Sequence, residues 1–206
     1  MISVNAGGQI FGIPAHRMAR IAGAIYAVNI LASPFAIVGP KTFLDLCCGL
    51  VSTAAYIVIT ILFYFLFKPV SRSVSFVAAL FSMTGCIVGN WVVHVPPIPG
   101  VHFMVYFGFY CVLIGYLIIR SSFMPRFVGV LMMCAGAGYL TFLWQPFGNS
   151  LSPYNVIPGA CAEITLTIWL LAKGVDQERW TEQSGAIAAS ATSFVARQTS
   201  MKGNLQ

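Results

Sequence analysis

A single carboxyl, Glu163, stands in the apolar stretch CAEITLTIWLLAKGV (Cys161 to Val175), with no Lys or Arg nearer than Lys173. An ionised acid at the centre of a membrane helix costs about 2.5–3.5 kcal/mol on insertion scales, so such a residue faces its neighbours and has a partner or a function. Kept neutral, it would hydrogen-bond a neighbouring Tyr, Asn or carbonyl as a structural clasp. Exchanging its proton, it would serve as an acid/base or a ligand contact. The other candidates for catalysis are Asp45 and His94. His94 and His102 flank the turn PPIPG (Pro96 to Gly100), and with Asp45 they make a set of two imidazoles and a carboxylate of the kind transition metals take. Eight residues across a proline turn is no recognised ligand spacing, however, and neither a metal nor a cofactor is expected. The chain has no Ser-His-Asp order, no glycine-rich phosphate loop and no HExxH, which leaves hydrolase, nucleotide-binding and zinc-protease chemistry without support.

The surroundings of these residues set their meaning. Of 206 residues 58% are hydrophobic and only 8% charged, with a mean hydropathy of +0.85, against roughly 25% charged in a soluble domain. The composition predicts an integral membrane protein. The formal charge of +6 does not point to nucleic acid, because the basic residues fall in pairs at the ends of apolar stretches and not in an aromatic-laced patch. All six cysteines (Cys47, Cys48, Cys86, Cys111, Cys134, Cys161) sit in or beside apolar segments without CxxC spacing, as small packing residues do.

Apolar runs bounded by turn formers or charge predict six spans, over 19–38, 43–67, 73–95, 101–119, 127–146 and 154–172. Ten of the eleven Lys and Arg residues then fall on one side, Lys41 being the exception. The positive-inside rule places both termini in the cytoplasm. The expected architecture is all-α: a compact bundle of six transmembrane helices (19–175), preceded by a cytoplasmic segment (1–18) and followed by a mobile polar tail (176–206) poor in large apolar residues. Trp180 is read as part of that solvated tail. The first apolar run lacks a cleavage site and is expected to stay as an anchor.

Residues three and four apart share a helix face. Sorted this way, the polar groups form stripes: Tyr26, Asn29 and Ser33; Asp45, Cys48, Gly49, Ser52 and Tyr56; Cys86, Asn90 and His94 beside a Gly85/Gly89 pair; His102, Tyr106 and Tyr110; Gly159, Glu163 and Thr167. Small and polar stripes of this kind face other helices. Most of these groups, with Trp91 and Trp144, fall in the half away from the basic loops. The pattern predicts an outward-facing, partly wet cavity with Glu163 near its floor.

Four segments together carry a likeness: RIAG at Arg20, KPVSR at Lys68, GYLIIRSSFMPRFVGVL at Gly115 and EITLTIWLLAKGV at Glu163. Over about residues 17–176 the chain resembles the bacterial membrane family catalogued as domain of unknown function 4386. The resemblance implies six spans, a Pro-Arg turn at Pro125–Arg126, a family glutamate at Glu163 and a bacterial cytoplasmic (inner) membrane location. It supplies no activity, substrate or cofactor. Members often carry a His where this chain has Tyr110, so Tyr110 and Glu163 would be the counterpart of any such pair, with less capacity for proton transfer.

Four functions remain open on this reading. The first is a bundle that binds a small apolar or amphipathic ligand, a lipid among them, through Glu163, Asn29, Asn90, Trp91, His94, His102, Tyr106, Tyr110 and Trp144. The second is a membrane enzyme acting on a lipid or isoprenoid, with Glu163 as acid or base and Asp45 or His94 opposite it. A small proton-coupled carrier is the third, and a structural or partner-binding protein the fourth.

Overall fold

The computed structural model describes residues 9–10, 13–38, 43–89 and 102–186, with the side chains of 9–10, 34–38 and Asp45 excepted. The described chain is helical almost throughout. α1 spans Ala15–Val38, α2 Phe43–Phe67, α3 Arg72–Val88, α4 Met104–Arg120, α5 Arg126–Leu140, α6 Gln145–Leu151 and α7 Ile157–Ala172. A further helix, α8, runs over 177–186. The only strands described are a two-residue antiparallel pair, β1 (Gln9–Ile10) and β2 (Ile13–Pro14), leading into α1.

Two helical stretches, Leu46–Phe67 and Arg126–Leu143, are long and apolar enough to cross a membrane. Apolar α3, α4 and α7 are shorter. The Leu46–Phe67 stretch has a mean hydropathy of 2.3 yet only 22% of it is buried, so its outward face is as apolar as its inward one. Leu50, Val58, Phe76, Leu80, Val130 and Ile168 likewise stand exposed on several helices, as the outer surface of a membrane protein does and a soluble surface rarely does.

Six of the helices close into a ring in which α1, α2, α3, α4, α5 and α7 each pack on the next, and α7 returns to α1. The tightest seam is between α4 and α5. A Cβ built on Gly115 would lie 2.6 Å from the Gly129 carbonyl, and one on Gly136 would lie 2.7 Å from that of Gly108. Only glycine lets the two backbones approach so closely. Gly85 and Gly89 instead make room for the rings of Phe107 and Phe103. Across the α2/α3 seam the buried hydroxyls of Thr60 and Ser82 meet at 2.6 Å.

One end of the ring is sealed. α7 stops at Gly174, whose φ of +67° is a conformation side chains disfavour, and the chain turns back. Asp176 then caps α8, its Oδ1 accepting from the backbone N–H groups of Glu178 and Arg179 at 3.1 and 3.2 Å. α8 lies across the helix ends. The His16 N–H donates to Gln177 Oε1, the Ser122 N–H and hydroxyl to Gln183 Oε1, and Trp180 Nε1 to the Leu66 carbonyl at 2.9 Å. Trp180 is 0% exposed. The expected solvated tail therefore does not begin at Asp176: a stop glycine and an acidic cap start a new helix, and an indole buries against the end of α2. Residues 187–206, and 1–8 of the expected N-terminal segment, lie outside the described residues.

These contacts bring Arg17, Arg20, Lys68, Arg72, Arg120, Arg126, Lys173 and Arg179 to the sealed end, because they sit at the start of α1, α3 and α5, at or just past the end of α2, α4 and α7, or on α8. The turn between α5 and α7, read as a loop in the sequence, holds a 3-10 turn over Thr141–Leu143 and the short α6. Asn155 fastens it, its amide donating to Thr141 Oγ1 at 2.8 Å and to the Gly148 carbonyl at 3.0 Å.

Candidate functional site

The end of the ring opposite the basic residues holds a cavity of about 470 Å³. Its walls follow the polar stripes. α1 contributes Asn29 and Ser33, α2 contributes Gly49, Ser52, Thr53 and Tyr56, and α3 contributes Gly85, Cys86 and Gly89. From the α4 side come His102, Phe103, Met104 and Phe107, from α5 Tyr139, and from the chain between α5 and α7 Phe142, Asn149, Ser152 and Val156. Glu163, on α7, completes it.

One polar cluster joins α1 and α2 on the wall. Ser52 Oγ donates to Asn29 Oδ1 at 2.6 Å, Ser33 Oγ donates to the Asn29 carbonyl at 2.6 Å, and the two serine hydroxyls are 3.1 Å apart. Such interhelical bonds between small polar groups fix helix register where the surroundings are apolar. His102 stacks on Phe142, with ring centroids 4.7 Å apart, and its Nδ1 accepts from the Met104 N–H at 3.3 Å. It thus satisfies one of the open N–H groups at the start of α4.

Around Glu163 the bundle concentrates phenols. Tyr26, Tyr56, Tyr110 and Tyr139, each on a different helix, all stand near enough to interact electrostatically with its carboxyl, as does Cys111. Ring centroids of Tyr26 and Tyr110 lie 6.0 Å from that of Tyr56. The Tyr26 hydroxyl lies beside the Glu163 carboxyl, and neither it nor the Tyr110 hydroxyl makes a direct hydrogen bond. Gly159, one turn before Glu163, makes room for Tyr139: a Cβ there would fall on the tyrosine's hydroxyl and ring. Glu163 itself is only half-buried, because its free face is the cavity. Below it the ring is filled by Ile59, Phe63, Phe67, Ile114, Leu117 and Leu166, none more than 2% exposed.

Of the residues singled out in the sequence, Asn29, His102 and Glu163 line the cavity. Tyr110 is buried beside Glu163, behind the wall. Tyr106 is half-buried outside the lining. Trp144 does not reach the cavity; it lies on the surface, 68% exposed and stacked on Phe147. Asn90, Trp91, His94 and the side chain of Asp45 lie outside the described residues. Among the described residues no cluster of three or more His, Cys, Asp or Glu is placed to hold a metal. Missed in the sequence were Tyr139, Phe107 and Phe142. The Tyr139 signal was Gly159, a small residue on the face that carries Glu163.

The sequence profile of a family described as "Domain of unknown function (DUF4386)" matches residues 101–174, a stretch that includes both Tyr110 and Glu163. That agrees with the family resemblance seen in the sequence, over a shorter span. An uncharacterised protein of Archaeoglobus fulgidus is 22% identical over 127 residues, which cover 57% of this chain and 76% of that one. No solved structure matches significantly.

Proposed function

We propose that the chain is a six-span protein of a bacterial cytoplasmic membrane, with both termini inside, that binds a small apolar or amphipathic molecule in its outward-facing cavity. The observation that carries this reading is the cavity itself: mainly apolar walls, a few convergent polar groups at Asn29, Ser33, Ser52 and His102, and one carboxyl at the floor. Sites for small molecules have this make-up. The membrane topology draws support from the apolar outer faces of the helices and from the gathering of the described basic residues at the sealed end. With α3, α4 and α7 at 16 to 17 residues, about 25 Å each, the spans draw on flanking residues to match a hydrocarbon core of about 30 Å.

A cavity-filling variant tests the reading. Thr53→Phe places a ring in the cavity from the α2 wall. Mass spectrometry of small molecules retained through mild detergent purification should find a species held by the wild type and lost from a folded Thr53→Phe. Identical retained species in both proteins would refute a binding function for this cavity.

A further inference from the structure

Building on the proposed binding function, we infer that the cavity selects an organic cation with an apolar body, a substituted ammonium held between Glu163 and a surround of aromatic rings. Three observations converge on this charge sign. Glu163 is the one Asp or Glu among the described lining residues, and no Lys or Arg lines the cavity with it. Every Lys and Arg whose position is described lies at the opposite, sealed end, so none of them compensates the carboxylate. Five aromatic rings share the lining with its Ser, Thr, Asn and His side chains: Tyr56, Phe103, Phe107, Tyr139 and Phe142, with Tyr56 and Phe107 edge-on at 5.0 Å and Phe103 and Phe107 at 6.3 Å.

The chemistry of the candidates separates them. A ligand anion would meet the carboxylate with no Lys or Arg among the described lining residues to offset the repulsion. A neutral hydrocarbon would gain the walls but cover the half-buried carboxylate without pairing it, which is costly. An ammonium satisfies both features, because its charge pairs the carboxylate and its alkyl groups lie on the negative faces of the rings. Of the phenols gathered about Glu163, that of Tyr26 lies beside the carboxyl, and its hydroxyl, buried without a direct partner, is available to donate to a charged carboxylate. The volume, about 470 Å³, accommodates a ring or short chain beside the ammonium head.

The test compares benzyltrimethylammonium with neopentylbenzene, its uncharged carbon isostere, by equilibrium dialysis against the full chain in an uncharged detergent, with protein-free micelles as the blank. In the wild type the ammonium should bind about tenfold or more tightly than the isostere. In Glu163→Gln that ratio should collapse towards unity. Phe107→Leu, which keeps the carboxyl and most of the volume, should cut the ratio by about threefold to tenfold and stands in where Glu163→Gln fails to fold. Equal affinity for the two probes in the wild type, or a ratio untouched by Glu163→Gln or by Phe107→Leu in its place, overturns the charge assignment while leaving a binding cavity intact. Binding of neither probe by the wild type overturns the assignment too, and counts against the cavity as a binding site of any kind.

Discussion

Removing the indole of Trp180 should unseal the basic end of the bundle, and the structure sets the size of the effect. The side chain is 0% exposed and belongs to the same buried cluster as Met18, Phe67, Phe123 and Val175. Its Nε1 donates to the Leu66 carbonyl at 2.9 Å, and Leu66 lies in the last turn of α2, where carbonyls lack helical partners. Truncating a buried tryptophan costs about 3–5 kcal/mol, and the lost hydrogen bond contributes about 1 kcal/mol of it. For a chain of this size Trp180→Ala should lower the unfolding midpoint in detergent by about 10 °C. Trp180→Phe keeps most of the ring packing and loses the donor, so its drop should be a fraction of that. α8 could also come away while the ring stays folded, so tryptic cleavage after Arg179 is the companion assay: faster cutting in Trp180→Ala reports the undocking directly. A midpoint within about 2 °C of the wild type, together with unchanged cleavage at Arg179, would refute the idea that this indole closes the bundle.

Two further substitutions probe the floor of the cavity. Tyr110→Phe should leave the thermal midpoint unchanged or raise it, because the hydroxyl it removes is buried without a direct partner, a burden of about 1–3 kcal/mol, while the ring packing on Tyr56 at 6.0 Å remains. A clear fall in the midpoint would mean that this hydroxyl carries a hydrogen bond. Gly159→Ala drives a methyl into Tyr139 and should destabilise by about 1–3 kcal/mol, as overpacking does. Adding Tyr139→Ala should recover part of that loss, so a double-mutant cycle with no coupling would show that the two helices do not meet there.

Helix periodicity made one half of this site legible and not the other. Asn29, Ser33, Ser52, Tyr56, Cys86 and Glu163 were found because a polar residue in an apolar run announces its own face. Tyr139, Phe107 and Phe142 were not, because an aromatic side chain is at home both against lipid and against protein. Tyr116 is 43% exposed while Tyr139 is 6% exposed, and nothing in their own residue type distinguishes them. Trp144 failed for the same reason in the other direction. The Gly85/Gly89 pair drew attention by its four-residue spacing, yet it faces side-chain rings of Phe103 and Phe107, while Gly108, Gly115, Gly129 and Gly136 let the α4 and α5 backbones touch; their spacing of seven repeats on both helices and was equally open to reading. α8 was signalled too, by Gly174 and Asp176, but the polar composition beyond it outweighed two residues of capping chemistry.

The two ends of the ring bear on which of the possible functions the chain performs. A carrier must open its site to each side in turn, whereas beneath Glu163 stand Ile59, Phe63, Phe67, Ile114, Leu117 and Leu166, and beyond them Trp180, all essentially without exposure. Opening that end would mean breaking the bond from Trp180 Nε1 to the Leu66 carbonyl, the bond from the His16 N–H to Gln177 and the two from Ser122 to Gln183 together. The open end has no comparable plug among its described residues, and its polar wall groups, the hydroxyls of Ser33 and Ser52, are already joined to Asn29. An arrangement in which one end is fastened by several long-range bonds and the other presents a pre-formed hollow favours a ligand that enters and leaves by the same mouth. Binding fits that geometry more economically than transport, and it makes docking of α8 the element to disturb: a carrier should turn over faster when Trp180 is removed, a binding protein should only lose stability.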